Sequence, residues 1–475
     1  MSEHSKPPRR RLRSRRFGYG IVAAVVLLLG LAIFATHSTQ RATEQAQDGR
    51  AVSTPTATPV PPPPPGHEAY HVSPEGDDDN PGTLDKPWRT IARAMAQTYT
   101  AGDQLLFERG GEYFGIIDRV PTPDGSLRWL IGAYGEGAKP VISNAKILND
   151  SAAWTPTAPN VWRINLNDAT THGGWDGDGT NVGFLTSGDT IHPAKKTALG
   201  DLRAQWDFYD DSTFLYVKSS NNPSVVAPGL RAAPDSVLIR LHSNTEIDGI
   251  EMKDCGGHAI RGEDDPVVNV RVLNNYIHHI GGSFLIGYAD DTVRYGNGIE
   301  CLDSCADWLV QGNEVHDVYD SAFTCQGSGT TTNIRVTQNF FHGNAHNLEF
   351  WTEEPGGGLH QILIDDNDFV DGGGGWGGPA RPDQENRAQF VSYGWVLPAD
   401  IVVTKNRVTG ASGSYVYHDP VAPRPAGWVF SDNDVKLESG TLMQNGQPYT
   451  IDEAAAWARA NMTETGSTFE VLGRP

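Results

Sequence analysis

Three short segments of the sequence place acidic or polar side chains at matching positions. They are GIECL at 298–302, AFTCQ at 322–326 and NLEFW at 347–351. If each segment is a β-strand, the alternation of side chains turns Glu300, Thr324 and Glu349 outward, opposite to the apolar residues around them. Two carboxyl groups on one face can act as general acid and general base, which is the chemistry that cleaves glycosidic bonds.

The spacing of the two glutamates suits such a reaction if the strands stack in register. Stacked strands lie ~4.8 Å apart, so Glu300 and Glu349, two strands apart, would be separated by roughly 9–10 Å. The acid and base of an inverting glycosidase are ~6.5–9.5 Å apart, because a water molecule must fit between them. Asp303 and Asp320 stand at strand edges and are further catalytic candidates. The alternative is that these acids are ordinary hydrated side chains on an exposed sheet, where carboxylates are common.

Side chains near these acids could bind a sugar chain. The segment HAIRG at 258–262 places Arg261 in the outward column that contains Glu300, and Trp351 lies on the same face as Glu349. Indole rings suit the apolar faces of pyranose rings. Trp376, at the tip of a glycine-rich loop, could do the same or could anchor that loop. The residues that we assign to substrate binding are Arg261, Thr324, Gln326, Trp351 and Trp376.

These segments belong to a repeat that positions them. An Asn that follows a strand-like run, with an apolar residue two positions later, recurs at intervals of 38, 26, 28, 39 and 27 residues. Its six occurrences are Asn275, Asn313, Asn339, Asn367, Asn406 and Asn433. Such a period, with short β runs between Gly, Asn and Asp, indicates a coil of stacked parallel strands. We predict that each Asn side chain bonds to the backbone of the Asn one coil away, satisfying amides buried at the turn.

Two of these intervals contain additional residues. They lie at 281–296 and 371–387, and both stretches follow an Asn motif and precede the next outward column. Both loops should therefore rise at the same corner of the coil, on either side of the coils that contain Glu300, Thr324 and Glu349. Two walls beside a sheet form a groove in which a chain of sugars could lie.

The opening segment from Tyr70, the runs GDQLLFERGG and IGAYGEGAKPVIS, and the Asn repeats together resemble the right-handed parallel β-helix superfamily with the pectin-lyase fold. The resemblance covers about residues 70–440. It implies a three-sided right-handed coil, and most characterised members are polysaccharide lyases, glycoside hydrolases or sugar epimerases. A fold shared by several reactions does not select one of them.

The fold class expected is therefore all-β, a right-handed parallel β-helix with a small β insertion and short capping helices. Thr90 should cap a short helix, WDFYDDSTFLYVKSS should form a hairpin in the insertion, and Thr450 with Glu453 should form a capping box. The parts of the chain are a basic tail at 1–16, a transmembrane anchor at 17–36, a Pro/Thr-rich stalk at 37–69, an N-terminal cap with the first coils at 70–149, the β insertion at 150–235, the main β-helix at 236–440, and a C-terminal helix and tail at 441–475.

The N-terminal part of the sequence indicates export. Residues 17–36 are long and apolar enough to span ~30 Å of hydrocarbon. The arginines before them place the N-terminus in the cytoplasm. We expect an uncleaved anchor, with a cleaved signal peptide as the alternative. The β-helix would then be periplasmic or extracellular, on a single-pass membrane protein.

The charge of the chain bears on its partners. The net charge is -21, although the first 16 residues are strongly basic. The remainder is acidic and has no basic stripe, so we expect no nucleic-acid partner. Polysaccharide and the membrane are the expected partners, and we expect a monomer.

Cysteine and histidine spacing suggests structural roles. Cys301 and Cys325 should point inward one coil apart, where a disulfide or two core thiols would fit. His278, His316 and His342 each follow an Asn by three residues and should stack on the surface. No carboxylate accompanies them at constant spacing, so we predict no metal site.

Three functions are compatible with these observations. Glycoside hydrolysis by Glu300 and Glu349 is favoured and requires no cofactor. A lyase or epimerase acting on uronic acids would need cations at the uronate, from Arg261, Lys253 and Arg294 or from bound calcium. A non-catalytic surface protein could use the same groove to bind glycans.

Overall fold

The computed structural model describes residues 60–166, 181–211, 213–352, 357–380, 387–392, 399–411, 413–418, 427–437, 443–444, 453 and 464–471. Over these ranges the chain is almost entirely β-structure with a few short helices. No helix within them is both long and apolar enough to cross a bilayer. Residues 17–36 and Thr450 lie outside the described ranges, so the transmembrane anchor and the C-terminal helix stay predictions.

Three parallel sheets form the body of the described chain, and the strands of each sheet stack in chain order. Sheet 1 contains β1 (Ala69–Val72), β2 (Gln104–Glu108), β5 (Trp129–Tyr134), β16 (Thr245–Asp248), β19 (Val267–Leu273), β24 (Cys305–Gln311), β27 (Thr330–Thr337), β30 (Gly358–Asp365), β33 (Ala399–Thr404), β36 (Trp428–Ser431) and β39 (Glu464–Thr465). Sheet 2 contains β3 (Glu112–Phe114), β6 (Val141–Ser143), β17 (Glu251–Cys255), β20 (Tyr276–Ile280), β25 (Glu314–Val318), β28 (Phe340–His342), β31 (Asp368–Gly372), β34 (Arg407–Ala411), β37 (Asp434–Leu437) and β40 (Thr468–Val471). Sheet 3 contains β4 (Ile117–Asp118), β15 (Val237–Leu241), β18 (His258–Gly262), β23 (Ile299–Leu302), β26 (Ser321–Gly327), β29 (His346–Thr352), β32 (Ala388–Ser392), β35 (Ser414–His418) and β38 (Met443–Gln444).

The chain visits the three sheets in turn, so each coil contributes one strand to each sheet. β24, β25 and β26 form one such coil, and β27 then pairs in parallel with β24. Inward side chains stack into a continuous apolar core, as Val315, Phe341 and Phe369 do in sheet 2. This is the parallel β-helix that the repeat predicts.

The predicted Asn ladder runs along the corner between sheets 1 and 2. The Oδ1 atom of Asn339 accepts the backbone N–H of Asn313 at 2.9 Å, and its Nδ2 atom donates to the Val310 carbonyl at 3.0 Å. The same pair of bonds recurs at Asn313, Asn367, Asn406 and Asn433. At Asn275 the backbone donor is Ile250, and all six Asn residues are buried. The ladder satisfies amides that the turn would otherwise leave without partners, and such groups cost ~1–3 kcal/mol each.

The N-terminal end of the core is covered as predicted. Helix α1 (Ile91–Met95) begins after Thr90, whose hydroxyl oxygen accepts the N–H of Arg93. Ile91 and Ala94 are buried and pack with the first strands of the coil. The helix therefore closes an end of the stack that would otherwise expose apolar side chains.

The segment between β6 and β15 leaves the coil and forms two antiparallel sheets. One contains β11 (Thr190–His192), β10 (Val182–Ser187), β14 (Leu230–Pro234) and β7 (Lys146–Ile147), and the other contains β12 (Phe208–Asp210), β13 (Phe214–Lys218), β9 (Val161–Asn165) and β8 (Thr155–Ala158). Helix α2 (Pro223–Val226) and a 3₁₀ turn (Leu199–Asp201) complete it. The predicted hairpin is present as β12 and β13. The insertion has its own apolar core, which includes Trp154, Phe208 and Leu215.

Within the described ranges, the insertion and the two predicted loops leave the coil at one corner. The insertion lies between β6 and β15, which belong to sheets 2 and 3. The loop at 281–296 contains β21 (Ser283–Phe284), a 3₁₀ turn (Ala289–Asp291) and β22 (Arg294–Tyr295), and it joins the same two sheets. So does the loop that contains α3 (Gly377–Ala380), between β31 and β32. The two loops rise at one corner as predicted, and the insertion joins them there.

The disulfide differs from the pairing that the sequence suggests. Cys301 and Cys325 are register neighbours on adjacent strands, but Cys301 is bonded to Cys305, with Cα atoms 6.1 Å apart. The chain turns between sheets 3 and 1 at Asp303, whose φ is 57°, and this turn brings Cys305 inward beside Cys301. Cys255 and Cys325 are buried free thiols.

We expect Asn339→Ala to lower the free energy of unfolding by about 3 kcal/mol, because it removes the acceptor of a buried amide and a donor to a buried carbonyl. Urea unfolding followed by tryptophan fluorescence measures the change. Gln338→Ala, at the exposed neighbouring position, is the matched control and should change stability little. Equal effects of the two substitutions would contradict a stabilising role for the ladder.

Thiol titration checks the cysteine assignment. In denaturant without reductant, two thiols per chain should react, because Cys301 and Cys305 are bonded to each other. After reduction, all four cysteines should react. Mass mapping that finds Cys301 linked to Cys325 would contradict the structure.

Candidate functional site

The register of sheet 3 matches the one that the sequence predicts. Arg261 pairs with Glu300 on the next strand. Glu300 pairs with Thr324, and Thr324 pairs in turn with Glu349. The Cα atoms of the two glutamates are therefore separated by two strand spacings, or roughly 9–10 Å.

The exposure of this column differs from the expectation of an open, solvated sheet. Glu300 and Glu349 are each only 2 % exposed, and Thr324 is fully buried. The two carboxylates contact His258 and Ser321, the first residues of β18 and β26. Each acid therefore has a contact at the end of sheet 3 that borders the corner between sheets 2 and 3, where the insertion and the loops rise.

The Glu300 carboxylate lies in a polar cage. Its Oε1 atom accepts a short hydrogen bond from Nε2 of Gln326. Its Oε2 atom lies 2.8 Å from Nδ1 of His258, but the backbone N–H of Asn297 also points at that nitrogen, at 3.1 Å. One nitrogen cannot both accept from the amide and donate to the carboxylate. Within the described part of the chain, Oε2 therefore has no well-aligned hydrogen bond.

The cage holds Glu300 in its ionised form. Burial alone raises the pKa of the carboxyl group, because the charged form loses its hydration. The nearby His258 and Arg261 side chains and the Gln326 amide outweigh this effect, and the net pKa lies below its usual value. A buried carboxylate that stays charged is suited to accept a proton.

Glu349 occupies the equivalent position two strands further along. The Ser321 hydroxyl donates a short hydrogen bond to its Oε2 atom. Asp320 precedes Ser321, and its Oδ1 atom lies 3.7 Å from Nε2 of the buried His346. Glu349 and Asp320 thus lie along the same corner as Glu300.

Asp235 is an acid of this site that the sequence analysis missed. It lies two residues before β15, where the insertion returns to the coil. The Tyr295 hydroxyl donates to its Oδ1 atom at 2.6 Å, and the Tyr295 ring lies 5.2 Å from the ring of His258. Asp235 is therefore linked through Tyr295 and His258 to Glu300. We call Asp235, His258, Tyr295, Glu300, Ser321 and Glu349 the corner cluster.

The pKa of Asp235 is shifted in the opposite direction to that of Glu300. Burial is the largest influence and raises it, outweighing the Tyr295 hydroxyl, the nearby His258 and Lys195 side chains and the Asn181 amide, which lower it. A carboxyl group with a raised pKa keeps its proton to higher pH and can donate it. Two neighbouring carboxyl groups with opposite shifts can divide the roles of acid and base.

The insertion fixes the position of Asp235. Nδ2 of Asn181 donates to Oδ2 of Asp235 at 3.1 Å, and Oδ1 of Asn181 accepts from Nζ of Lys195 at 3.1 Å. Lys195 forms a buried ion pair with Asp210, at 2.6 Å. This polar chain lies inside the insertion and ends at the corner cluster, so the insertion contributes directly to the site.

Arg294 and Trp376 hold the corner elements together. The Arg294 side chain donates to the carbonyls of Gly282, Pro193 and Gly183, at 2.6, 3.0 and 2.7 Å. Its guanidinium lies over the Trp376 ring, 5.5 Å from the centroid. The Trp376 indole also donates to the Asp317 carbonyl.

These contacts indicate that Trp376 anchors its loop, which is one of the two roles that the sequence suggested for it. The loops at 281–296 and 371–387 meet at Trp376, whereas we expected two separate walls of a groove. Residues 381–386 of the second loop lie outside the described ranges.

The remaining predicted residues occupy different positions around the site. Gln326 connects Trp351 to Glu300. Its Oε1 atom accepts from the Trp351 indole at 2.7 Å, and its Nε2 atom donates to Glu300. Arg261 is partly exposed and binds Glu263 at 2.8 Å. Asp303 accepts from the backbone and hydroxyl of Ser328, so its contacts are those of a turn.

The cations that a uronate site would need are dispersed. Lys253 lies on sheet 2 and pairs with Glu251 at 3.4 Å. Arg294 uses its nitrogens on backbone carbonyls. Of the three candidates, only Arg261 lies beside the carboxylates.

Among known proteins, the chain is similar only to solved structures. No family model matches the chain, and no curated protein matches it. A complex of XylC with xylose is 11 % identical, with a TM-score of 0.45 over 84 % of this chain and 82 % of that one. A lacto-N-biosidase of family GH136 from Eubacterium ramulus is 12 % identical, with a TM-score of 0.38 over 85 % and 68 %. A rhamnogalacturonan lyase is 10 % identical, with a TM-score of 0.32 over 86 % and 90 %. The assignment of this chain to the parallel β-helices therefore rests on its own sheets and ladder.

Proposed function

We propose that this chain hydrolyses glycosidic bonds of a polysaccharide outside the cytoplasm, with acids of the corner cluster as its catalytic groups. The observation that carries the proposal is the connected cluster of acids in which Asp235 is linked through Tyr295 and His258 to Glu300. The opposite directions of the Asp235 and Glu300 pKa shifts agree with it. The predicted anchor at 17–36 supports the location, and the protein would act as a monomer on the outer side of the membrane.

The proposed chemistry divides two proton transfers between the acids. Glu300, ionised and with an oxygen that lacks a well-aligned hydrogen bond, accepts a proton from the attacking water. Asp235, protonated, donates a proton to the oxygen of the departing sugar. Glu349 is the second candidate for the acid, because the sequence places it two strands from Glu300. Arg261, Gln326 and Trp351, at the outer edge of the cluster, would contact the sugar.

Hydrolysis is favoured over elimination by the charges around the site. Elimination from a uronate needs cations that neutralise its carboxylate, and two of the three candidate cations are engaged elsewhere. Hydrolysis needs only an acid and a base at a suitable distance. A glycan-binding surface protein without catalysis is the remaining alternative.

The full chain assayed on a panel of neutral and acidic polysaccharides should release reducing ends without an increase in ultraviolet absorbance. Glu300→Gln should reduce kcat/KM about 100-fold or more, because the amide cannot accept the proton. Glu246→Gln, on sheet 1, is the matched control and should leave activity unchanged.

Three results would overturn the proposal. An unsaturated, ultraviolet-absorbing product would indicate a lyase. Binding without turnover, unaffected by Glu300→Gln, would indicate a glycan-binding protein. Full activity of a folded Glu300→Gln variant would remove the proposed base.

The pH dependence distinguishes the two candidate acids. Glu300 has a lowered pKa, so its ionised form should persist below pH 4.5, the usual value for a glutamate. Activity should fall as pH rises through the raised pKa of Asp235, because the acid then loses its proton. Asp235→Asn should abolish this alkaline limb of kcat/KM together with most activity. If Glu349→Gln removes the limb and Asp235→Asn does not, Glu349 is the acid.

A further inference from the structure

A column of imidazole rings runs along the outer face of sheet 2, away from the corner cluster. His278 and His316 stack at 5.1 Å with an interplanar angle of 8°, and His316 and His342 stack at 4.5 Å with an angle of 18°. The stacking that the sequence predicts is therefore present, although His278 is buried and not at the surface. Because the rings are nearly parallel, the Nε2 atoms of successive histidines point in the same direction.

Carboxylates accompany this column, contrary to the sequence expectation. Nε2 of His278 lies 3.2 Å from Oε1 of Glu251, and Nε2 of His342 lies 3.1 Å from Oε1 of Glu314. Glu251, Tyr276 and Glu314 are register neighbours on successive strands, and Tyr276 and Glu314 each stand two residues before an imidazole of the column. Tyr276 lies between Glu251 and Glu314 in the register, so the carboxylates do not recur at a constant spacing in the sequence.

Three of these side chains converge. One ligand atom from each of Glu314, His316 and His342 lies within 4.8 Å of the other two. The three side chains are partly exposed, so an ion can reach them from solvent. Nδ1 of His316 faces Oδ2 of Asp317 at 2.8 Å, an arrangement that orients an imidazole and leaves its Nε2 for a metal.

We propose that Glu314, His316 and His342 form a binding site for a divalent transition-metal ion such as Zn²⁺. Two imidazoles and one carboxylate are a ligand set that zinc accepts, with water in the fourth position. Imidazoles select against calcium, which takes six to eight oxygen ligands.

One pair of ligand atoms already has the separation that the ion requires, and the His316 side chain would move toward it. Ligand atoms ~2.1 Å from a tetrahedral ion are about 3.4 Å from each other. The 3.1 Å separation of His342 and Glu314 is close to this value. Nε2 of His316 is 2.8 Å from the Tyr276 hydroxyl and would exchange that hydrogen bond for the metal.

Zn²⁺ titration of the metal-free full chain by calorimetry tests the proposal, with one ion per chain expected. Glu314→Gln and His342→Asn should each weaken binding at least about tenfold, because each removes a ligand. Glu251→Gln is the matched control at the other end of the column, and Glu246→Gln is the control on sheet 1. Both should bind zinc as the unaltered chain does.

A second measurement identifies the ligands by spectroscopy. Co²⁺ in place of Zn²⁺ should give visible absorption bands of a four-coordinate site, and His342→Asn should remove them. Circular dichroism establishes that each variant is folded. Absence of stoichiometric binding, or binding that Glu314→Gln and His342→Asn leave unchanged, overturns the metal site. Because these readouts do not involve glycans, they are independent of the proposed hydrolysis.

Discussion

The stacking of the coils depends on the buried Asn ladder at the corner between sheets 1 and 2. Each turn there removes backbone amides from water, and each must find a partner inside the protein. The Asn339 side chain accepts from the backbone N–H of Asn313 and donates to the carbonyl of Val310, so both bonds go to the preceding coil. Since the bond is made to the equivalent residue one coil away, it also sets the register. A shift of one residue would break the ladder and turn the apolar columns outward.

The functional geometry of sheet 3 follows from that register. Alignment of the coils places Arg261, Glu300, Thr324 and Glu349 in one column, although they are distant in sequence. The ladder corner itself stays regular, and the insertion and both loops rise at a different corner. One corner of the coil thus provides stability, while another is available for chemistry.

Burial at the second corner changes what the acids can do. On an open sheet, Glu300 would be a hydrated surface carboxylate with an ordinary pKa. Inside the corner cluster, His258, Arg261 and Gln326 lower the pKa of Glu300 and keep it ionised. The pKa of Asp235 is raised, because the effect of its burial exceeds that of the groups that stabilise its charged form. Packing of the insertion therefore gives similar carboxyl groups opposite tendencies to hold a proton. In the imidazole column of sheet 2, His278 is buried, whereas Glu314, His316 and His342 are partly exposed and accessible to an ion.

Much of the fold could be predicted from the sequence alone, because period, strand alternation and the recurring Asn are local patterns with one consistent solution. The same patterns determined the register of Glu300 with Glu349 and the corner at which the loops at 281–296 and 371–387 rise. Asp235 and Tyr295 could not be found in this way. They enter the site from the insertion and a loop, where no repeat relates sequence position to space.

The Cys301–Cys305 bond and the anchor contacts of Trp376 were likewise decided by how irregular segments turn and pack. The sequence by itself determined the repeating scaffold, through patterns that each coil repeats. Only the tertiary structure decided which acids are buried together, because burial arises from contacts between segments that the repeat does not relate.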